Sequence, residues 1–222
     1  ARYRGALGRY FRVVEEDHVL DVLGEPGNVT LDLGCGTGRL FAALKRPDKT
    51  LLGSDISHDM LASASRSAAS ADGLVAGDFY RLPLADNSLD TVVAVGTFHL
   101  TVDIERVMAE INRTMRPGGT FVFTCWNRTP LMHRRLFQGR HAAPHRFGDI
   151  EMKLGENGFV VERAMSTFYF PSNLFWLGCK LLRGERLRSR WVDAVIGFNR
   201  YFLNRPHWRL KGAHFIIRAR KP

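Results

Sequence analysis

Short apolar runs of strand length alternate with helical stretches along most of this 222-residue chain, and that alternation admits few folds. Val29–Leu33, Thr50–Asp55, Leu74–Gly77, Thr91–Val95 and Thr120–Cys125 read as buried strands, the fourth nearly all β-branched. The sequence predicts helices over Gly38–Lys45, Asp59–Ala69 and Ile104–Met115 between them. An earlier helix over Gly8–Leu23 carries Phe11, Val14, His18 and Val22 at helical spacing. Pro26-Gly27-Asn28, Pro47 and Pro117-Gly118-Gly119 punctuate the series as breaks and turns. Beyond Cys125 the texture changes. Trp126–Phe147 reads as a loop or lid, followed by a short helix over Asp149–Glu156 and a strand over Phe159–Tyr169. An aromatic, arginine-rich helical insert (Leu174–Leu203) then precedes a closing strand, Ala213–Ala219. Such alternation implies an α/β fold, a doubly wound and mostly parallel seven-stranded sheet with helices on both faces. We expect one domain over 1–222: an N-terminal helix and lid (1–28), a ligand-binding core (29–125), a lid loop (126–148) and a helical cap (174–203).

Three scattered cysteines are too few for a disulfide framework or a zinc site, and they suit a reducing compartment. The longest stretch without a formal charge, Ala164–Cys179, is interrupted by serines, a proline and an asparagine and does not span a bilayer. A cytoplasmic protein, at most peripheral to a membrane, is therefore expected. The net charge of +10 is unevenly divided. Residues 1–125 hold 13 Lys/Arg against 16 Asp/Glu, whereas residues 126–222 hold 19 against 6. The basicity of the second part implies either an anionic partner or a solvated arginine-rich face.

Leu31-Asp32-Leu33-Gly34-Cys35-Gly36-Thr37-Gly38 falls where a strand ends and a helix opens. Glycines there let backbone approach a ligand, and free amides at a helix start favour an anionic or polar group. Asp55 ends the second strand, 21 residues after Gly34, where nucleotide-binding sheets hold ribose hydroxyls. A dinucleotide dehydrogenase needs a third glycine where this chain has Arg39, so that reading fails.

With these residues the chain resembles the class I S-adenosylmethionine-dependent methyltransferases of Rossmann-like fold, in particular the small-molecule branch that includes the quinone-biosynthesis enzymes. The resemblance covers residues 29–125 in five ordered blocks: Leu31–Gly38, Gly53–Met60, Ala76–Leu84, Asp86–Leu100 and Met115–Thr124. It implies S-adenosyl-L-methionine as cofactor and S-adenosyl-L-homocysteine as product. By the same resemblance, backbone at Gly34 and Gly36 faces the methionine part, and Asp32 orders the loop and the amino group. Asp55 accepts the ribose hydroxyls, Ile56 packs on adenine, Asp78 accepts the adenine amino group and Phe79 lies beside the ring. Val95 and Gly96 close the methionine side.

A sulfonium methyl is already activated, so catalysis needs mainly alignment, and a base only when the acceptor must lose a proton. His99, just past the fourth strand, is the candidate base or orienter, with a loop histidine as the alternative. The carboxylates that metal-dependent catechol methylation uses after the fourth strand are missing, so no metal is expected. Leu174–Leu203 mixes aromatics and arginines on amphipathic helices. It suits a cap over an apolar or aromatic small-molecule acceptor, a peripheral membrane contact, a homodimer surface or plain core packing. Nucleic acid fits less well, because the segment is too apolar for a phosphate-tracking face. Three functions stay open: small-molecule methylation, RNA methylation through the basic region, and cofactor binding without turnover.

Overall fold

The computed structural model describes residues 5–67, 69–98, 103–128, 144–182 and 184–222. Strands β1 (Val29–Leu33), β2 (Thr50–Asp55), β3 (Gly73–Ala76), β4 (Leu89–Ala94), β5 (Met115–Trp126), β6 (Val160–Thr167) and β7 (His214–Arg220) form one sheet. Its order is β3-β2-β1-β4-β5-β7-β6. The β1–β2, β1–β4, β2–β3 and β4–β5 pairs are parallel, and β7 runs antiparallel to both its neighbours. This is the sheet the alternation predicts. Strand order reverses at β1, so the crevice beyond the carboxyl ends of β1 and β4 is the place for a ligand.

Period-two alternation divides the strand side chains between two cores. In β4, Val92 and Ala94 pack with α5 (Ile104–Thr114) and α6 (Phe147–Glu156). Val93, with Val95 just beyond the strand, packs with α2 (Asp17–Leu23), α3 (Phe41–Leu44) and α4 (His58–Ala64). The start of α5 is capped by Asp103, whose carboxylate accepts the Arg106 amide at 3.0 Å. Val107, Met108 and Ile111 then fall on its buried face.

Several boundaries differ from expectation, each for a local reason. The helix expected over Gly38–Lys45 contracts to Phe41–Leu44, because residues 36–40 are turns. The one expected over Asp59–Ala69 ends at Ala64. Pro117-Gly118-Gly119 does not precede β5 but lies inside it: Arg116–Gly119 oppose the single residue Asp90 between the pairs Leu89–Met115 and Thr91–Thr120. Asp90 pins that bulge, holding Arg116 at 2.7 Å and accepting the Val29 amide at 2.8 Å. The N-terminal helix is two helices, α1 (Gly5–Phe11) and α2, joined by a π-helical stretch over Arg12–Glu16.

The insert between β6 and β7 is a hairpin of α7 (Ser172–Leu181) and α8 (Glu185–Leu203). One side of it builds a third core with α1 from Tyr10, Val14, Phe168, Phe175, Val192 and Ile196. Tyr10 stacks on Phe175 with ring centroids 4.0 Å apart. Glu185 accepts the Ala6 amide at 3.0 Å, and Asp193 pairs with Arg9 at 2.9 Å. The pairings Trp126–His214 and Thr167–His214 place the base of this cap at the edge where β5 ends, the edge that also carries the glycine loop.

Candidate functional site

The loop after β1 is held tightly by its own backbone. The Gly34 and Cys35 amides both donate to Ser54 O, at 2.7 and 2.9 Å. The Gly36 amide donates to Asp55 Oδ2 at 2.9 Å, and the Ser57 amide to Asp55 Oδ1 at the same distance. The expectation of free amides here is thereby corrected: at 34, 35 and 36 they are spent on β2, which fixes the loop before any ligand arrives. What the loop offers instead is bare backbone surface. Gly36 has φ +56°, and a Cβ built on it meets nothing within 4 Å. Gly34 differs, because a Cβ there would collide with the Thr97 side chain, whose hydroxyl donates to Leu33 O at 2.9 Å. Gly34 is therefore a packing glycine and Gly36 an open one. Asp55 meets the open surface as a carboxylate with each oxygen carrying one amide, which leaves each oxygen acceptor capacity for a diol.

Asp32 lies beneath the loop, 2% exposed, on the sheet face covered by α2 to α4. Burial pushes its carboxyl up to about 7, with the nearby Asp55 charge adding to the rise and the Arg39 guanidinium opposing it. A buried acid with this affinity for a proton is suited to a cationic ligand group above it. Cys35, 6% exposed in the same loop, is pushed up to about 12 by burial and is a packing residue rather than a nucleophile.

Toward β3, Ile56 is 67% exposed directly after Asp55, an apolar surface uncovered by the protein itself. Asp78 spends Oδ1 on the Tyr80 amide two residues on, at 2.9 Å, an Asx turn rather than a helix cap. Phe79 is half-buried against the first core, with its ring 4.8 Å from that of Tyr80. Across the crevice Val95 is buried, and the Gly96 amide donates to Thr124 Oγ1 at 2.9 Å, tying the ends of β4 and β5 together. The nine cofactor residues expected from sequence thus lie on four successive strand ends, β3, β2, β1 and β4. His99 lies outside the described residues.

The same edge of the sheet holds a pair that the sequence reading missed. His214, the first residue of β7, places Nδ1 3.0 Å from Glu15 Oε1. Glu15 is 7% exposed and sits in the π-helical stretch. Its neighbour Glu16 pairs with Arg39 at the end of the glycine loop. Adjacent residues of one helical stretch thus reach the glycine loop and the base of the cap. The His214 ring is 4.5 Å from that of Phe168 and 6.4 Å from that of Trp126, an aromatic surround at the sheet edge. Nearby, Asn127 and His145 are bridged: the Arg128 amide donates to His145 O at 2.8 Å and the His145 amide to Trp126 O at 2.9 Å. A signal for Glu15 existed, since it follows Phe11 by four residues and so falls on the apolar face.

The open cradle at Gly36, the two acids and the bare apolar side chain of Ile56 together fit S-adenosylmethionine: backbone for the methionine part, acceptors for diol and ammonium, a surface for adenine. Residues 31–123 match the family model described as a methyltransferase domain. Over 118 residues the chain is 36% identical to a malonyl-[acyl-carrier protein] O-methyltransferase of Methylococcus capsulatus, covering 51% of this chain and 43% of that protein. Over 105 residues it is 36% identical to a demethylmenaquinone methyltransferase of Symbiobacterium thermophilum, covering 44% and 42%. The aligned part thus spans less than half the length of either relative. In three dimensions the chain superposes on the geranyl diphosphate C-methyltransferase of Streptomyces coelicolor with a TM-score of 0.68, at 17% identity, over 97% of this chain and 82% of that one. That likeness extends the fold match through the cap. Over residues 31–123 this chain is therefore similar to methyltransferase domains, in sequence to the two curated relatives and in fold to the Streptomyces coelicolor enzyme.

Proposed function

We propose that this chain is an enzyme that transfers a methyl group from S-adenosylmethionine to an apolar or aromatic small molecule. One observation carries the cofactor half: a glycine loop fixed by its own hydrogen bonds presents an open face at Gly36, with the Asp55 carboxylate beside it. Asp55 holds the ribose diol, Asp32 faces the amino end, Ile56 and Phe79 flank adenine, and Asp78 turns its second oxygen to the adenine amino group. When bound, the cofactor supplies an electrophilic methyl group, so the protein's own task is to orient a nucleophile and hold its proton. His99 is one group for that proton. His214 is a second: with Nδ1 turned to Glu15, its Nε2 is the acceptor when the ring is neutral. The substrate class is supported by the aromatic surround of His214 and by relatives whose names specify demethylmenaquinone and geranyl diphosphate.

S-adenosylhomocysteine should bind and raise the melting temperature, because a ligand of the native state stabilises it by mass action. Tight NAD binding without S-adenosylhomocysteine binding would refute the assignment. Steeply salt-dependent RNA binding, abolished by charge reversal at Arg186, Arg188 and Arg190, would move the acceptor to nucleic acid.

A further inference from the structure

The helical cap has a second side that the protein does not cover. Among the described side chains of α7, Phe175 and Cys179 are the buried ones, four residues apart, where they meet α1 and α8. Leu174, Leu177 and Leu181 follow a three- and four-residue spacing and form one stripe on the opposite side. They are 48%, 49% and 67% exposed, and Leu187 at the start of α8 is 51% exposed. A stripe of large aliphatics so open is rare on a monomer without a partner.

Charge around the stripe is sorted. Residues 172–203 hold six Lys/Arg and only two acids. Both acids already have partners, Glu185 in the Ala6 amide and Asp193 in Arg9, although both remain exposed. Lys180, Arg186 and Arg190 are exposed, and none of the three pairs with an acid among the described residues. Apolar stripe and unneutralised cations therefore share one outward surface, the arrangement of an interfacial amphipathic helix.

We propose that the α7–α8 hairpin docks this protein on an anionic lipid surface, with the leucine stripe entering the headgroup boundary and the three cations meeting the lipid charge. A second copy of the chain is the poorer occupant. A two-fold interface sets a patch against itself, and here that would oppose three unpaired cations on each side, while the two nearby acids are already engaged with Ala6 and Arg9. The contact is superficial, since among the described residues no helix is long and apolar enough to cross a membrane. The inference rests on this surface alone and stands apart from the cofactor reading.

The test is co-sedimentation of the whole protein with phosphatidylcholine vesicles and with mixed phosphatidylcholine–phosphatidylglycerol vesicles, at low and raised salt. Binding is expected to the anionic vesicles only, weakening as salt screens the charges. Lys180→Gln, Arg186→Gln and Arg190→Gln should each weaken it about fivefold, and all three together by on the order of a hundredfold. Leu177→Ser with Leu181→Ser should abolish it at any salt. These side chains are exposed, so unchanged melting of each variant confirms that the fold is intact. A blue shift of Trp176 fluorescence on vesicle addition, absent in the leucine variant, would locate the contact. Failure to bind anionic vesicles, or binding that both variants retain, would overturn the proposal. So would self-association by ultracentrifugation that the leucine variant abolishes in the absence of vesicle binding.

Discussion

Replacing Asp32 by Asn should stabilise the ligand-free protein at alkaline pH while weakening its grip on the cofactor. The carboxyl is buried beside the Asp55 charge, and its proton affinity rises to about 7 from the ordinary 3.8. Between pH 4 and 7 the native state therefore keeps a proton that the unfolded chain has released. Stability falls as pH rises through that window and levels off above it. A shift of about three pH units corresponds to on the order of 4 kcal/mol, since each unit is worth about 1.4. Asn has the same shape and no charge to bury, so Asp32→Asn removes the decline. At pH 8 the variant should melt roughly 10 °C above the wild type. Binding should move in the opposite direction. An ammonium group over Asp32 favours the ionised form, so S-adenosylhomocysteine should expel a proton from the wild-type site below pH 7 and bind more tightly as pH rises toward 7. Thermal melts across the pH range, with calorimetry in two buffers of different ionisation enthalpy, measure both effects. A variant that melts at or below the wild type at pH 8 with the same pH slope, or proton release unchanged by the substitution, would refute the reasoning.

The glycine loop gives a paired test: Gly36→Ala should keep the fold within about 1–2 kcal/mol, the cost of a left-handed Ala, yet lose cofactor affinity. Gly34→Ala should instead lower the melting temperature, because its methyl group meets Thr97. Asp55→Ala should reduce S-adenosylhomocysteine affinity by at least tenfold, since a charge-assisted acceptor is lost and the Gly36 amide is released; unchanged affinity by calorimetry would remove Asp55 from the site. If His214 holds the acceptor proton, His214→Gln should lower kcat on the order of a hundredfold with cofactor affinity kept, and remove an ionisation from the pH–rate profile. Glu15→Gln, which removes the carboxylate that orients the ring, should also lower kcat, and a full rate in both variants would return the pair to a structural tie between the π-helical stretch and β7.

The sheet was legible because strand-length apolar runs between helical stretches leave little freedom, and β1 and β2 have the boundaries read from sequence. The place of the glycine loop was legible for the same reason: a glycine cluster at a strand end, with an acid ending the next strand, has few structural uses. The use of its amides was not, since nothing in the sequence of residues 34–36 shows that Ser54 and Asp55 will take their hydrogen bonds. The Glu15–His214 pair joins residues 199 positions apart. Each is an oddity on its own, a charge on an apolar face and a histidine opening a buried strand, and only the fold makes them one feature. The bulge at Arg116–Gly119 was misread because Pro and Gly mark a turn equally well before a strand or inside one.

The π-helical stretch has a consequence for how this chain tolerates change in length. A π-turn accommodates one residue more than the α-helix it interrupts, so α1 is phased to α2 through a surplus residue. Removing one residue from Arg12–Glu16 would let the stretch heal into a continuous α-helix. Everything before it would then rotate by about 100° about the helix axis. Ala6 and Tyr10 would swing away from Phe175, Arg9 from Asp193, and the Ala6 amide from Glu185. A surface loop of this protein could lose a residue with little effect, whereas this short helical stretch sets the angular register between the cap and the sheet.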